Sequence, residues 1–251
     1  MPLPATLPLL FIAATGAGLV DAIAGGGGLI TIPALLGVGL PPQLALGTNK
    51  LQATCGSGSA MLHFVRSGAV TLRECHYGIL WTLIGAVLGA GTVQLLNATL
   101  LRAIIPWLLG IILFYTLMTP RLGSEDIHAR MPSGPFYLIF GLLLGFYDGF
   151  LGPGTGSFWA MAFVIFLGYS LQRATAYTKV MNFTSNVAAL LFFLLAGQVR
   201  FTEGLIMGAG QFIGARIGAR LVTKRGSAFI RPLFITMVVA LLAKLIIQNT
   251  R

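Results

Sequence analysis

Long apolar runs alternate with short polar interruptions along the chain, and the runs fall into two sets of five. The first set covers Leu7 to Ala24, Leu29 to Leu40, Leu51 to Val65, Tyr77 to Leu96 and Leu100 to Met118. The second covers Phe136 to Leu151, Phe158 to Leu167, Val180 to Ala196, Gly204 to Leu221 and Phe229 to Ile247. Between Ala5 and Ala24 there is one charge, Asp21, and no alternation of polar with apolar residues. A membrane β-strand alternates over about 10 residues, whereas a helix needs about 20 apolar residues to cross the hydrocarbon, so the pattern predicts helices. The second member of each set is short, which suits a half-helix or re-entrant segment better than a full span.

Composition agrees. The 251 residues are 56% hydrophobic and only 9% charged, and the mean hydropathy is +0.89. A soluble domain carries roughly 25% charged residues, and a disordered chain is polar, so both classes are excluded. The fold class expected is all-α, a polytopic transmembrane helical bundle. A net charge of +10 raises nucleic-acid binding as a question, but the 16 basic residues are scattered between apolar runs with no basic face, so no nucleic-acid partner is expected. Cys55 and Cys75 form no CxxC, His63, His76 and His128 have no ligand spacing, and no cofactor or metal is expected. Signatures of acyl-transfer, zinc-protease and P-loop chemistry are lacking, and the reading is of a protein that is not an enzyme.

The sequence repeats itself. Gly18-Leu19-Val20-Asp21 before Gly25-Gly26-Gly27-Gly28 is echoed by Gly145-Phe146-Tyr147-Asp148 before Gly152-Pro153-Gly154-Thr155, and Thr48-Asn49-Lys50 by Tyr177-Thr178-Lys179. Asp21 and Asp148 lie 127 positions apart, and Lys50 and Lys179 lie 129 apart, so a two-residue gap aligns the halves. Two repeats are expected, 1–120 and 133–251, joined by a polar cytoplasmic linker, 121–132. Charge chooses their relative orientation, because the cytoplasmic side collects Lys and Arg. With five crossings per half, Arg66, Arg73, Arg121, Arg130, Arg173, Arg220, Lys224, Arg225 and Arg231 share one side against Arg102, Arg200 and Arg251, nine to three; with four crossings the split is six to six. The expectation is therefore two inverted five-segment repeats with interrupted or short helices and both termini periplasmic.

Inverted repeats with broken helices point to a secondary transporter whose substrate binds near the bilayer midplane. A helix that begins just after Gly28 or Thr155 offers unpaired amides and the positive end of its dipole, which favour an anion; the competing reading is that the glycines simply let helices pack. The charges inside apolar runs are Asp21, Lys50, Asp148, Lys179, Arg216 and Lys244. Each costs at least about 2.5 kcal/mol at the bilayer centre and should face the interior or reach an interface. Lys50 and Lys179 are candidates to hold an anion, with Asp21 and Asp148 either carrying a coupling proton or pairing structurally with neighbouring bases. Arg216 and Lys244 are expected to snorkel. Asn49, Asn182 and Asn186 are the best uncharged ligand candidates, since neutral donors grip an oxyanion without excess charge.

The run Leu19 to Leu35 with Gly47-Thr48-Asn49-Lys50-Leu51-Gln52, and in the second half Gly145 to Gly154 with Thr178-Lys179 and Asn182-Phe183-Thr184-Ser185-Asn186, resemble the motifs of the sulfite exporter TauE/SafE family of bacterial membrane permeases. The resemblance covers nearly the whole chain. It implies transport of small sulfur-containing anions such as sulfite or sulfonates across a bacterial inner membrane. It carries over Asp21, Gly25, Gly26, Gly27, Gly28, Asn49 and Lys50 from the first motif, and Asp148, Gly152, Gly154, Lys179 and Asn182 from the second, with Pro153 and Thr155 replacing two glycines. The partners expected are a small anionic substrate and the lipid bilayer, with a homodimer left open. An anion channel and a non-transporting membrane assembly subunit are the alternatives.

Overall fold

The computed structural model describes residues 6–101 and 128–249, from 226 onward by backbone alone. The elements are α1 (Thr6–Ala24), α2 (Gly28–Gly37), α3 (Pro42–Arg66), a 3-10 turn (Leu72–Glu74), α4 (His76–Gln94), α5 (Ser133–Phe150), α6 (Thr155–Leu167), α7 (Leu171–Leu195) and α8 (Phe201–Asn249). Among the described residues there is no strand, and the protein is a polytopic helical membrane bundle. Helices α1, α4 and α7 are each long and apolar enough to cross a bilayer. Their outer faces expose Leu9, Ile12, Leu83, Leu88, Leu191 and Leu195, which suits a lipid solvent. The fifth apolar run and most of the linker lie outside the described residues, as does the side chain of Lys244.

One expectation is corrected. The ninth and tenth runs do not form separate helices: α8 continues through Lys224-Arg225-Gly226-Ser227 to Asn249. Lys224 to Ser227 holds no proline, and its one glycine costs only about 1 kcal/mol relative to Ala, too little to stop a helix flanked by good formers; Pro232 lies farther on, inside the same helix. The continuous helix is about 74 Å long.

Glycine seams set the helix directions. A methyl group at Gly210, Gly214 or Gly218 of α8 would strike the carbonyl oxygens of Phe11, Thr15 and Leu19 of α1 in that order, so the two helices run in the same sense. Gly141, Gly145 and Gly149 of α5 meet Trp81, Thr82 and Ala86 of α4 in the same way. Spacing of four places these small residues on one face and lets the backbones touch. Along α3, Gly204 and Gly208 of α8 meet Leu51 and Cys55, and the Ser59 hydroxyl donates to the Phe212 carbonyl at 3.0 Å; again the helices are parallel. Thr82 of α4 reaches Met181 of α7, and Gly91 reaches Phe192. The crossing of α3 with α7 is opposite: Gly47 meets Phe193 and Gly58 meets Phe183.

Thus α1, α3 and α8 point one way and α4, α5 and α7 the other. Because α1 and α3 are parallel, α2 must carry the chain back between them, and α6 does the same between α5 and α7. At 10 and 13 residues, these return helices span only about 15 and 20 Å, so each starts inside the bundle. One end of the bundle gathers Arg66, Arg73, Arg130, Arg173, Arg220, Lys224 and Arg225. It is tied together there by Arg173–Glu74 at 3.5 Å, by Gln172 donating to the Thr223 carbonyl at 3.4 Å and by the Arg130 amide donating to Phe166. Arg200 lies at the other end, its amide on Thr48 at 3.0 Å. Arg216 is half-buried one turn before exposed Arg220, toward the basic end.

Candidate functional site

Both returns begin at a glycine that turns the chain inside the bundle. Gly25 has φ +75° and Gly152 has φ +94°, conformations an L side chain rarely adopts. The two breaks touch, since a Cβ on Gly25 would collide with the Gly156 backbone and one on Gly28 would meet Pro153 at 3.1 Å. The N-termini of α2 and α6 therefore converge. The amides of Gly28 and Gly156 fall in the first turns of these helices, where no intrahelical acceptor exists.

Around this point stand two ion pairs, each joining one half of the chain to the other. Lys50 on α3 pairs with Asp148 on α5 at 2.8 Å, with side chains 1% and 4% exposed. Lys179 on α7 pairs with Asp21 on α1 at 3.0 Å, with side chains 0% and 16% exposed. Each ammonium also donates to the backbone carbonyl of its own aspartate. Lys50 adds a third bond, to Asn186 Oδ1 at 3.3 Å, which uses all its donors. The second Asp148 oxygen accepts from Ser185, and Asp21 Oδ1 accepts from the Gly27 amide at 3.2 Å. Buried charges survive in such a setting because they are paired and hydrogen-bonded.

Between the pairs is a cavity lined by Asp21, Gly25, Gly28, Asn49, Lys50, Ala53, Asp148, Gly152, Thr155, Gly156, Asn182, Asn186 and Gln211. The cavity is small, about 30 Å³, enough for about two water molecules. Of the residues singled out in sequence, nine meet here: Asp21, Gly25, Gly28, Asn49, Lys50, Asp148, Gly152, Asn182 and Asn186. Gly26, Gly27, Gly154 and Lys179 stand behind the lining. Gly154 is the left-handed residue before α6, and Lys179 is turned wholly onto Asp21.

Residues 10–245 match the sulfite exporter TauE/SafE family. The chain belongs to that family. It is 47% identical over 244 residues to a probable membrane transporter protein of Haemophilus influenzae, covering 96% of this chain and 94% of the relative. It is 48% identical over 246 residues to the probable membrane transporter protein YfcA of Escherichia coli, covering 98% and 91%, and 46% identical to the probable membrane transporter protein ORF9 of a Sinorhizobium species, covering 97% and 94%. No solved structure matches.

In this TauE/SafE protein, the family motifs supply the breaks and the charges, while the lining residues Ala53, Gly156 and Gln211 were not singled out in sequence and Thr155 was named only as a helix start and a replaced glycine. Thr155 caps the break by donating to the Gly152 carbonyl at 2.6 Å. Gln211 comes from α8, far from either motif. The signal that could have found it is glycine at its neighbours: a Cβ on Gly56 would collide with the Gln211 side chain, and one on Gly18 with its backbone. The hydroxyls of Thr54, Ser57 and Thr184 return to carbonyls one turn back on their own helices and stay out of the cavity.

Proposed function

We propose that this protein is a secondary transporter that exports small sulfur-containing anions, such as sulfite or organosulfonates, across the bacterial inner membrane, with the substrate bound near the midplane between two inverted repeats, 1–120 and 133–251. The carrying observation is the exchange of ion pairs around the cavity: each repeat's lysine holds the other repeat's aspartate where two helix N-termini meet. The inversion is supported by the antiparallel crossing of the matched helices α3 and α7. The positive-inside tendency places the basic end in the cytoplasm and the N-terminus in the periplasm, whereas the continuous α8 carries the C-terminus past the basic end, against the expectation of two periplasmic termini.

In this reading, the cavity offers an anion two dipole ends, free first-turn amides and neutral side-chain donors, while the two lysines and two aspartates cancel. Protonating Asp148 or Asp21 releases its lysine and makes the site net positive, so anion and proton are taken up together. The small cavity and the closed pairs favour a carrier over an open channel. An organosulfonate, larger than two waters, enters only when the halves move apart.

The test is flux in proteoliposomes. Radiolabelled sulfite or taurine should accumulate in response to an imposed pH gradient, saturate with concentration, and stop in Lys50→Met and Lys179→Met. Single-channel currents with flux that never saturates, or no flux of either anion from folded protein, would overturn the proposal.

A further inference from the structure

Each carboxylate among the described residues is already engaged: Asp21 by Lys179, Glu74 by Arg173, Asp148 by Lys50 and Glu203 by Arg200. Two basic groups on the outer face of α8 are left over. Arg216 is half-buried and Arg220 exposed, and among the described residues neither has an ion-pair or hydrogen-bond partner. Both guanidinium groups lie within electrostatic reach of His63 on α3, so they converge on the seam between the two helices. The His63 ring is itself fixed there. The Thr223 hydroxyl donates to the Ala219 carbonyl at 3.0 Å, so its oxygen accepts from His63 Nε2 at 3.1 Å.

The surface around these arginines faces lipid. At about 3.6 residues per turn, exposed Phe212, Ile213 and Ile217 share one side of α8 with Arg216 and Arg220, while buried Ala215, Ala219 and Val222 turn to the bundle. Leu62 of α3 is exposed beside them. Loop arginines such as Arg73 and Arg130 are enough to orient the chain. Orientation does not call for a guanidinium one turn, about 6 Å, deeper in the bilayer than Arg220. At that depth a charge without a protein acceptor is expensive unless the lipid supplies one. The acceptor within reach is headgroup phosphate. A spacing of four sets the Cβ atoms of Arg216 and Arg220 about 5–6 Å apart, so a single phosphate can take both, and the guanidinium fork matches its oxygens.

We propose that the seam of α3 and α8 at the basic end is a binding site for an anionic diacyl phospholipid. Its phosphate is held by Arg216 and Arg220, and its acyl chains lie over Phe212, Ile213 and Ile217. A zwitterionic lipid fits less well, because its own ammonium neutralises the phosphate. Exposed Arg66, one turn beyond His63, and exposed Lys224, one turn beyond Arg220, add positive potential that a net negative headgroup answers. The bound lipid bridges α8 to α3, the helices that bring Gln211, Asn49 and Lys50 to the cavity. The site stands apart from that cavity, so its failure would leave the transport reading untouched.

Lipid binding to the purified full-length protein in detergent tests this, counted by native mass spectrometry, with thermal melting as the fold check. The probes are dioleoylphosphatidylglycerol, dioleoylphosphatidylcholine with the same chains, and inorganic phosphate. Wild type should bind its first phosphatidylglycerol at least about ten times more tightly than phosphatidylcholine, and melt at a higher temperature with it, since each arginine near an anionic lipid contributes about five-fold. Arg216→Gln with Arg220→Gln should bring phosphatidylglycerol close to the phosphatidylcholine level and lose the added melting temperature. Arg73→Gln with Arg130→Gln removes the same charge from the same end and should bind phosphatidylglycerol as wild type does. Equal binding of the two lipids by wild type, unchanged binding in the Arg216 and Arg220 variant, or an equal loss in the Arg73 and Arg130 variant would overturn the site. Excess inorganic phosphate should leave the lipid in place; its displacing the lipid would assign the two arginines to a soluble anion and overturn the proposal.

Discussion

Replacing Lys50 with methionine and Asp148 with asparagine, singly and together, separates the structural from the functional worth of the buried pair. At 2.8 Å and an effective dielectric of about 20, the two charges attract by about 6 kcal/mol before desolvation is subtracted. Removing one partner leaves the other charge uncompensated in a dry interior, which costs about 3–5 kcal/mol. In Asp148→Asn the stranded ammonium keeps only the 148 carbonyl and Asn186. In Lys50→Met the stranded carboxylate keeps only Ser185. Removing both charges takes away attraction and desolvation together, and such replacements of whole pairs are often near neutral. The double variant should thus be more stable than the sum of the singles by at least about 2 kcal/mol, within the coupling range of contacting residues. Unfolding in detergent reads this directly: for a chain of this size, about 2–4 °C of melting temperature accompanies each kcal/mol, so each single should fall by about 10 °C and the double should recover most of it. Transport should be absent in all three. The reasoning is refuted if the effects on stability are additive, or if Lys50→Met melts with wild type.

The glycine seams give a graded test. Gly214→Ala and Gly89→Ala place a methyl on a carbonyl oxygen of the facing helix, Thr15 and Phe146 respectively, and should destabilise by about 1–3 kcal/mol. Gly16→Ala, with nothing within 4 Å, should be neutral or gain up to about 1 kcal/mol of helix propensity; a melting series compares them. Cys75 lies in the loop before α4, where burial, with Glu74 adding, pushes its thiol up to about 11. In Cys55→Ser protein it should resist iodoacetamide at neutral pH until the fold is opened. Because the folded pKa is raised, this group's contribution is intact below about pH 9 and fades as pH climbs toward 11, so melting temperature should drop across that window and less so in Cys75→Ala. Arg173 lies over the Tyr169 ring at 4.0 Å and pairs with Glu74 while both are substantially exposed. Arg173→Lys should cost under about 1 kcal/mol in the same assay.

The sequence made the frame legible because membranes enforce it. Apolar runs of helix length, the short second run of each set and the twin motifs marked α1 to α7, although α3 and α7 begin nine residues before their apolar runs, at Pro42 and Leu171. Asp21, Lys50, Asp148 and Lys179 stood out since a charge in an apolar run demands compensation, and pairing of acids with bases was one of the two roles read for them; that each pair joins the two halves is seen only in the structure. Two things were hidden. The continuity of α8 was masked by Lys224 and Arg225, which read as a loop by charge yet are good helix formers. Gln211 was hidden because it sits between Gly210 and Phe212 on a helix far in sequence from both motifs, and only the packing of α8 along α3, where Gly56 makes room for it, brings it to the cavity.

The two halves of the chain agree in their charges and differ in their amides, and that difference carries a consequence. Position by position, Lys50 matches Lys179, but Asn49 matches Thr178, Ala53 matches Asn182, Ser57 matches Asn186 and Thr82 matches Gln211. Three of the four carboxamides that line the cavity, Asn182, Asn186 and Gln211, therefore come from the second half of the chain. A substrate on the axis relating the halves would be indifferent to which repeat supplies a given donor. One held by the cluster Asn182, Asn186 and Gln211 would not. Asn182→Ala removes a donor beside two others and should weaken sulfite by about ten-fold or more. Adding Ala53→Asn returns a carboxamide to the mirrored place beside Asn49, away from that cluster, and should leave the affinity low. Titration of sulfite into both variants decides it: recovery of wild-type affinity in the double variant would put the anion on the axis and remove the asymmetry from the mechanism.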